Sequence, residues 1–382
     1  MGGPGENLRA ATSPPGSGRR LAVLSEKGRE HDMAEDRPRT EAVAHSKVAD
    51  EAIDRSDLNV ARDGAVAADA AGPVLAEGVD EEPVESNRRL FAGWRHRLVI
   101  GFAALYAAFH MVALNGVSIR EWTGVTVPFL PTFPLETWNF RTVHIAGALM
   151  LGFALFAAVT FRADDGPATQ AKGRSLRLIG LALLVPVAIA LWTSIQFIVL
   201  VNSGTLPEFG GIPTWSSAQP GAPLYDQEFW GYGVPLLVAT FGGIVLGWFE
   251  RPGRGRIAVS DLVLGACAVL VALYLVPVYS TAARNAVGTP YVPIGIAFAA
   301  TAGCALILEL TRRVAGLALV VISGVFLVYV FTAHMLPGIL AVDRPYSWQR
   351  FFGHVYSDAG ILGPTTAVSS TYIILFIIFA RR

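Results

Sequence analysis

The feature that most constrains this chain is a succession of apolar runs, each of roughly twenty residues, that begins near Leu90 and continues to the last residues. A helix rising about 1.5 Å per residue crosses a bilayer's hydrocarbon core of about 30 Å in a run of that length. In lipid every backbone polar group must find its partner within the protein, so a chain with several such runs folds as packed helices. The expected class is an all-α integral membrane protein, with about eight transmembrane helices following a disordered N-terminal tail.

The runs place spans at about 98–117, 142–161, 178–201, 232–248, 257–279, 291–310 and 314–336. An eighth, at 368–380, is short unless residues 363–367 belong to it. Pro186 falls inside the third span, where it removes one backbone hydrogen bond and predicts a kink. Residues 1–89 differ in kind. Ala, Gly, Pro, Ser, Asp, Glu and Arg dominate them, and too little apolar surface is present to offset the entropy of ordering. The only short apolar stretch near the start is Leu21 to Leu24, so no cleavable signal is expected and the first span acts as the insertion signal. Met33 opens a more acidic segment and is an alternative start.

The formal net charge of +0 says nothing about partners, because the charge is distributed by position. Arg88, Arg89, Arg95 and Arg97 precede the first span. Arg162, Lys172, Arg174 and Arg177 follow the second, Arg251, Arg254 and Arg256 the fourth, and Arg312 and Arg313 the sixth, with Arg381 and Arg382 after the eighth. The alternate connections carry only Arg120, Arg141, Arg284, Arg344 and Arg350. Lys and Arg are retained on the cytoplasmic side, so the tail is expected on the cytoplasmic side of the membrane. The connections 118–141 and 202–231 are then external. They carry Trp122, Trp138, Trp215 and Trp230, aromatic residues that suit the headgroup level and could form a docking surface for a partner.

Chemistry-bearing residues are few. Cys267 and Cys304 lie within apolar runs and offer neither a disulfide framework nor metal-ligand spacing. His110 reads as deep in its span, and His144 as near the outer end of the next. That placement argues against a shared haem and for packing roles; His334 and His354 lie further on. Asp261 and Glu309 sit near span ends, where pairing with Arg256 and Arg312 is the simplest expectation. Asn115, Thr193, Ser194 and Gln196 are mild polar groups suited to bonds between helices, and Gly243 with Gly247 forms a close-packing pair. No proton relay or ion pathway confined to this chain is expected. Neither a nucleophile elbow nor a phosphate-binding loop is present, Ser323 reads as a packing serine, and no enzymatic activity, cofactor or nucleic-acid partner is expected.

Several spaced elements carry a family resemblance. They are Val330-Phe331-Thr332-Ala333-His334-Met335-Leu336-Pro337-Gly338, Tyr346-Ser347-Trp348-Gln349-Arg350, Gly360-Ile361-Leu362-Gly363 and Val368-Ser369-Ser370-Thr371-Tyr372, preceded by the run from Glu136 to Ala148. In this order they resemble the fused permeases of tripartite ATP-independent periplasmic (TRAP) transporters, with Ala333 standing where that family's pattern has a glycine. The resemblance covers about 90–380. It implies a small-subunit-like membrane domain of about six helices at 90–313 and the start of a large-subunit-like permease domain at 314–382. It also implies ion-gradient-driven uptake, usually with sodium, of an organic acid delivered by a periplasmic solute-binding protein. The family's hairpins that hold substrate and ion have no counterpart here, so the chain is expected to be the N-terminal portion of a permease. Its partners would be membrane lipid, the binding protein and the large permease domain. The alternatives are a haem- or quinone-binding redox subunit and a structural assembly protein.

Overall fold

The computed structural model describes residues 86–114, 137–161, 170–206, 208–209, 212–213 and 217–380. The expected tail thus lies outside the described residues up to position 85, as do Asn115, Trp122 and Trp215. The described residues form an all-α multi-pass membrane protein with very little strand. Six of its helices are long and apolar enough to cross a bilayer: Trp94–Leu114, Ser175–Ser203, Gln227–Phe249, Val259–Tyr279, Ile294–Ala315 and Leu317–Met335. They match the first and the third to seventh expected spans.

In chain order the elements are β1 (Ser86–Arg88), α1 (Gly93–Leu114), α2 (Thr137–Leu155), β2 (Phe156–Phe161), α3 (Gln170–Ala182) and α4 (Leu184–Ser203). The two-residue strands β3 (Glu208–Phe209) and β4 (Ile212–Pro213) follow, then α5 (Val234–Phe249), α6 (Val259–Tyr279), α7 (Ile294–Ala315) and α8 (Leu317–Thr332). The short α9 (Trp348–Val355), α10 (Pro364–Val368) and α11 (Ile374–Ala380) complete the chain. The break between α3 and α4 falls at Leu183, three residues before Pro186, whose missing N–H leaves the preceding turn without its bond. The helix is interrupted at this one residue, Leu183, close to where the sequence places the kink.

Two expectations need correction. The second span is not a helix over 142–161: α2 begins at Thr137 and ends at Leu155, and residues 156–161 are extended and pair antiparallel with β1. Arginine side chains explain the change. Arg89 donates to the carbonyls of Phe153 at 2.7 Å and Ala154 at 3.1 Å, while the Arg89 backbone N–H reaches Leu155 O at 2.8 Å. Arg313 and Arg312 then take the carbonyls of Phe156 and Ala158, each at 3.1 Å. Carbonyls that a further helical turn would have used are bonded to cations, as suits a helix C-terminus. The same contacts show that 86–89, assigned to the tail from the sequence, are built into the fold. The eighth run is the shorter element: it starts at Pro364, a residue pre-shaped for a first helical turn, and passes through a π-helical turn at Ser369–Ile373 into α11.

α6 is the centre. Within its apolar window 67% of residues are buried, and in α7 61%, against 6% in α1 and in α8. α2, α4, α5 and α7 pack around α6, and α9 lies on α7. Gly243 and Gly247 sit in this contact as expected: a Cβ on Gly243 would stand 3.0 Å from a Leu264 methyl, so the absent side chain lets α5 approach α6. α8 buries no residue and α1 only His110. Their apolar side chains face outward, which is stable where the surrounding solvent is lipid.

Candidate functional site

Among the described residues polar chemistry gathers in three places: one at the arginine-bearing end of the bundle, and two toward the opposite, aromatic end.

At the arginine end, Asp261 at the start of α6 receives Arg89 through one carboxylate oxygen and Arg313 Nη1 at 2.6 Å through the other. Arg313 Nε also bonds Glu309 at 2.7 Å, one turn earlier on α7, and Arg312 bonds Glu309 through Nε and Nη2 at 2.8 and 2.9 Å. Arg313 lies over the Phe153 ring, 4.9 Å from its centre. The network differs from the simple expectation. Glu309 does pair with Arg312, but the partners of Asp261 are Arg89 and Arg313 and not Arg256, because the buried carboxylate is enclosed by the elements that converge on it. Burial lowers the pKa of the Arg89 guanidinium and Asp261 works against that. Removing one member of such a cluster leaves its partner's charge buried and uncompensated. Glu250 is engaged separately, by the Ser260 N–H at 3.0 Å and hydroxyl at 2.5 Å.

A second cluster was missed from the sequence. Glu228, assigned there to the long external connection, lies in the π-helical turn Gln227–Gly233 that opens α5 and is fully buried. Its carboxylate accepts from the Tyr274 hydroxyl at 2.8 Å, from the Gly295 N–H at 2.9 Å and from the Ser217 hydroxyl, whose oxygen in turn accepts from the Ile294 N–H at 3.2 Å. Thus the carboxylate caps the N-terminus of α7, where the free N–H groups and the helix dipole favour an anion. Gly295 is required by this contact: a Cβ there would stand 2.1 Å from the Tyr274 hydroxyl.

The third cluster corrects the reading of the histidines. His110 lies four residues before the end of α1 and His144 seven residues into α2, about 6 and about 10 Å from the same end of the bundle. They meet. His110 Nε2 is 2.8 Å from His144 Nδ1, which is also 2.8 Å from the Tyr106 hydroxyl, and His144 Nε2 is 3.1 Å from Ser369 Oγ. Both histidines are buried, at 0% and 6% exposure.

Of the proposed docking tryptophans, Trp138 is packed, its ring edge-on to Tyr279 at 5.0 Å and under the Arg284 guanidinium at 5.9 Å. Trp230 is 65% exposed and edge-on to Phe229. Thr193 bonds across to Gly231 O at 2.8 Å and Gln196 to Gln227 at 2.9 Å, whereas Ser194 bonds within its own helix. His334 and His354 are exposed, and both cysteines are free.

Three of the elements that carry the family resemblance, 136–148, 360–363 and 368–372, meet although the first is far from the others in sequence. Arg141 Nη1 donates to Leu362 O at 2.6 Å, and His144 meets Ser369. Ser347 caps α9 by accepting from the Arg350 N–H at 3.3 Å, Arg350 reaches Gly288 O at 3.0 Å, and Gln349 bonds Ala218 O at 3.2 Å and Val292 O. A Cβ on Gly360 would lie 2.0 Å from Val355 O, so the turn before the last helix accepts only glycine there. No protein-family model, curated protein or solved structure matches the chain.

Proposed function

We propose that this chain is the membrane scaffold of a TRAP-type secondary transporter, set in a bacterial inner membrane with the arginine end in the cytoplasm. In this reading a periplasmic solute-binding protein delivers an organic acid at the aromatic end, and an ion gradient, usually sodium, drives uptake. The substrate and ion sites would belong to a large permease domain that these residues do not supply.

One observation carries the reading: the separate sequence elements that resemble the family gather at one end of the bundle. There the run 136–148 bonds the two last elements, through Arg141 to Leu362 and through His144 to Ser369, while the Ser347-capped helix lies on α7. The outward-facing apolar sides of α1 and α8 are also consistent with a scaffold that meets lipid or a further membrane domain.

The redox alternative has less support. Two imidazoles that hold one iron from opposite haem faces stand on the order of 4 Å apart, two metal–nitrogen bonds of about 2 Å. His110 and His144 instead bond each other at 2.8 Å.

The test is uptake of radiolabelled dicarboxylate or keto acid into proteoliposomes holding this chain together with the coding sequence downstream of it, with the binding protein encoded nearby and an imposed sodium gradient. Uptake that needs both protein and gradient supports the reading. A downstream sequence without a large hydrophobic domain, or no physical association with any binding protein, would leave the structural-assembly alternative in its place.

A further inference from the structure

The histidine cluster can be assigned proton by proton. The Tyr106 backbone carbonyl, 2.7 Å from His110 Nδ1, can only accept, so His110 carries its hydrogen on Nδ1 and its Nε2 is an acceptor. The Tyr106 hydroxyl gives its single hydrogen to the His144 carbonyl at 2.8 Å. His144 therefore carries its hydrogen on Nδ1, where it is shared between His110 Nε2 and Tyr106 Oη. What remains is His144 Nε2, which accepts from the Ser369 hydroxyl. With both rings neutral every group has a partner.

An added proton has one place to go. On His110 Nε2 it would face the His144 Nδ1–H across 2.8 Å, hydrogen against hydrogen. On His144 Nε2 it faces a hydroxyl that can reverse from donor to acceptor, and the resulting N–H to Oγ bond is charge-assisted. A second proton would put two imidazolium rings side by side with centres 5.0 Å apart. We propose that His110 and His144 together form a binding site for one proton, entered at His144 Nε2, and that its occupancy tightens the bond between α2 and the last helix at Ser369. This inference stands apart from the transport reading and holds for any role of the chain.

The neighbours support it. On α1 the titratable group facing the pair is Tyr106, and on α2 itself Arg141, whose guanidinium is engaged by Leu362 O. On α6, Asp261 is held by Arg89 and Arg313, Tyr274 by Glu228 and Tyr279 by Tyr356 O, while Cys267 is buried in the core. On α7, Glu309 is held by Arg312 and Arg313, and Cys304 packs against the same core. On the last helix the facing group is Ser369, and Tyr372 is 65% exposed. The carboxylates of these elements are thus committed elsewhere, and Ser369 is the group that answers the added charge.

The experiment is histidine-selective nitrogen NMR of the full chain in lipid nanodiscs, titrated from about pH 8 to about pH 4. One proton should enter the pair, on His144 Nε2, while His110 Nε2 keeps an acceptor's chemical shift. Ser369→Ala should move the midpoint to lower pH by roughly one unit, because it removes the acceptor of the charged form, and Ser369→Thr should restore it. Uptake of two protons, one per ring, or of none across this range, overturns the proposal, as does an unmoved midpoint in Ser369→Ala. The proton count is read on the unaltered chain, so it decides even if a variant fails to fold.

Discussion

Arg141 Nη1 donates to the Leu362 carbonyl at 2.6 Å, so the first turns of α2 hold the loop that leads into the last helix. Nothing in the local sequence of either residue requires this bond. It joins 137–155 to the turn just before 364–380 at the aromatic end, beside the contact of His144 with Ser369. Together the two bonds make the position of the last helix depend on α2.

Arg141→Ala removes a charged donor from a carbonyl that has been taken out of water. A loss of about 1.5–3 kcal/mol is expected for such a bond, concentrated in the segment after Tyr356. Hydrogen exchange in nanodiscs should show faster exchange at Gly360 to Ala367 with little change in α6. Uniform acceleration across the bundle would contradict a local tether.

Asp261→Asn leaves Arg89 and Arg313 buried beside a neutral amide. The expected destabilisation is about 3–5 kcal/mol, read as a lower unfolding midpoint in detergent. Pairing it with Arg89→Met in a double-mutant cycle should recover part of the loss, since the second change removes a charge the first left uncompensated. Strict additivity would mean that the two residues do not form one unit.

Glu228→Gln and Glu228→Ala should differ in a defined order. Gln keeps an oxygen for the Gly295 N–H and the Ser217 hydroxyl, and Tyr274 can turn to accept. Only the anion at the helix N-terminus is lost, at about 1 kcal/mol. Ala leaves those donors unsatisfied next to a cavity and should cost at least about 2 kcal/mol more. Equal losses, measured by thermal unfolding, would remove the capping role.

Sidedness is tested with single cysteines after Cys267 and Cys304 are replaced by alanine. Gly253→Cys, exposed at the arginine end, should be labelled by a membrane-impermeant maleimide only in inverted vesicles, and Asn285→Cys, exposed at the aromatic end, only in intact spheroplasts. The opposite pattern would invert the proposed orientation.

Much of the architecture was legible because its causes are local. Six spans follow from run length, the break at Leu183 from Pro186, and the gathering of Arg88, Arg254, Arg312 and Arg313 at one end from the alternation of charged connections. Run length puts the last span at about 368–380, and the helix starts earlier, at Pro364. The clusters were harder. Glu228 sits in a polar stretch with Gly and Pro around it, and only the contact with Tyr274 and the N-terminus of α7 reveals that it is buried. The one available signal was an acidic residue immediately before an apolar run.

What the sequence by itself determined is the class of the molecule, because the cost of an unpaired backbone in lipid leaves a chain of twenty-residue apolar runs little choice but helices. The tertiary structure decided which polar side chains meet. Asp261 takes Arg89 and Arg313 in place of Arg256, α2 gives up its last turn to arginine side chains, and His110 finds His144 and, through it, Ser369. The physical reason is the range of the forces: apolar length acts residue by residue along the chain, whereas a buried charge or imidazole is satisfied by whatever donor or acceptor the packing of distant helices brings within 3 Å or so.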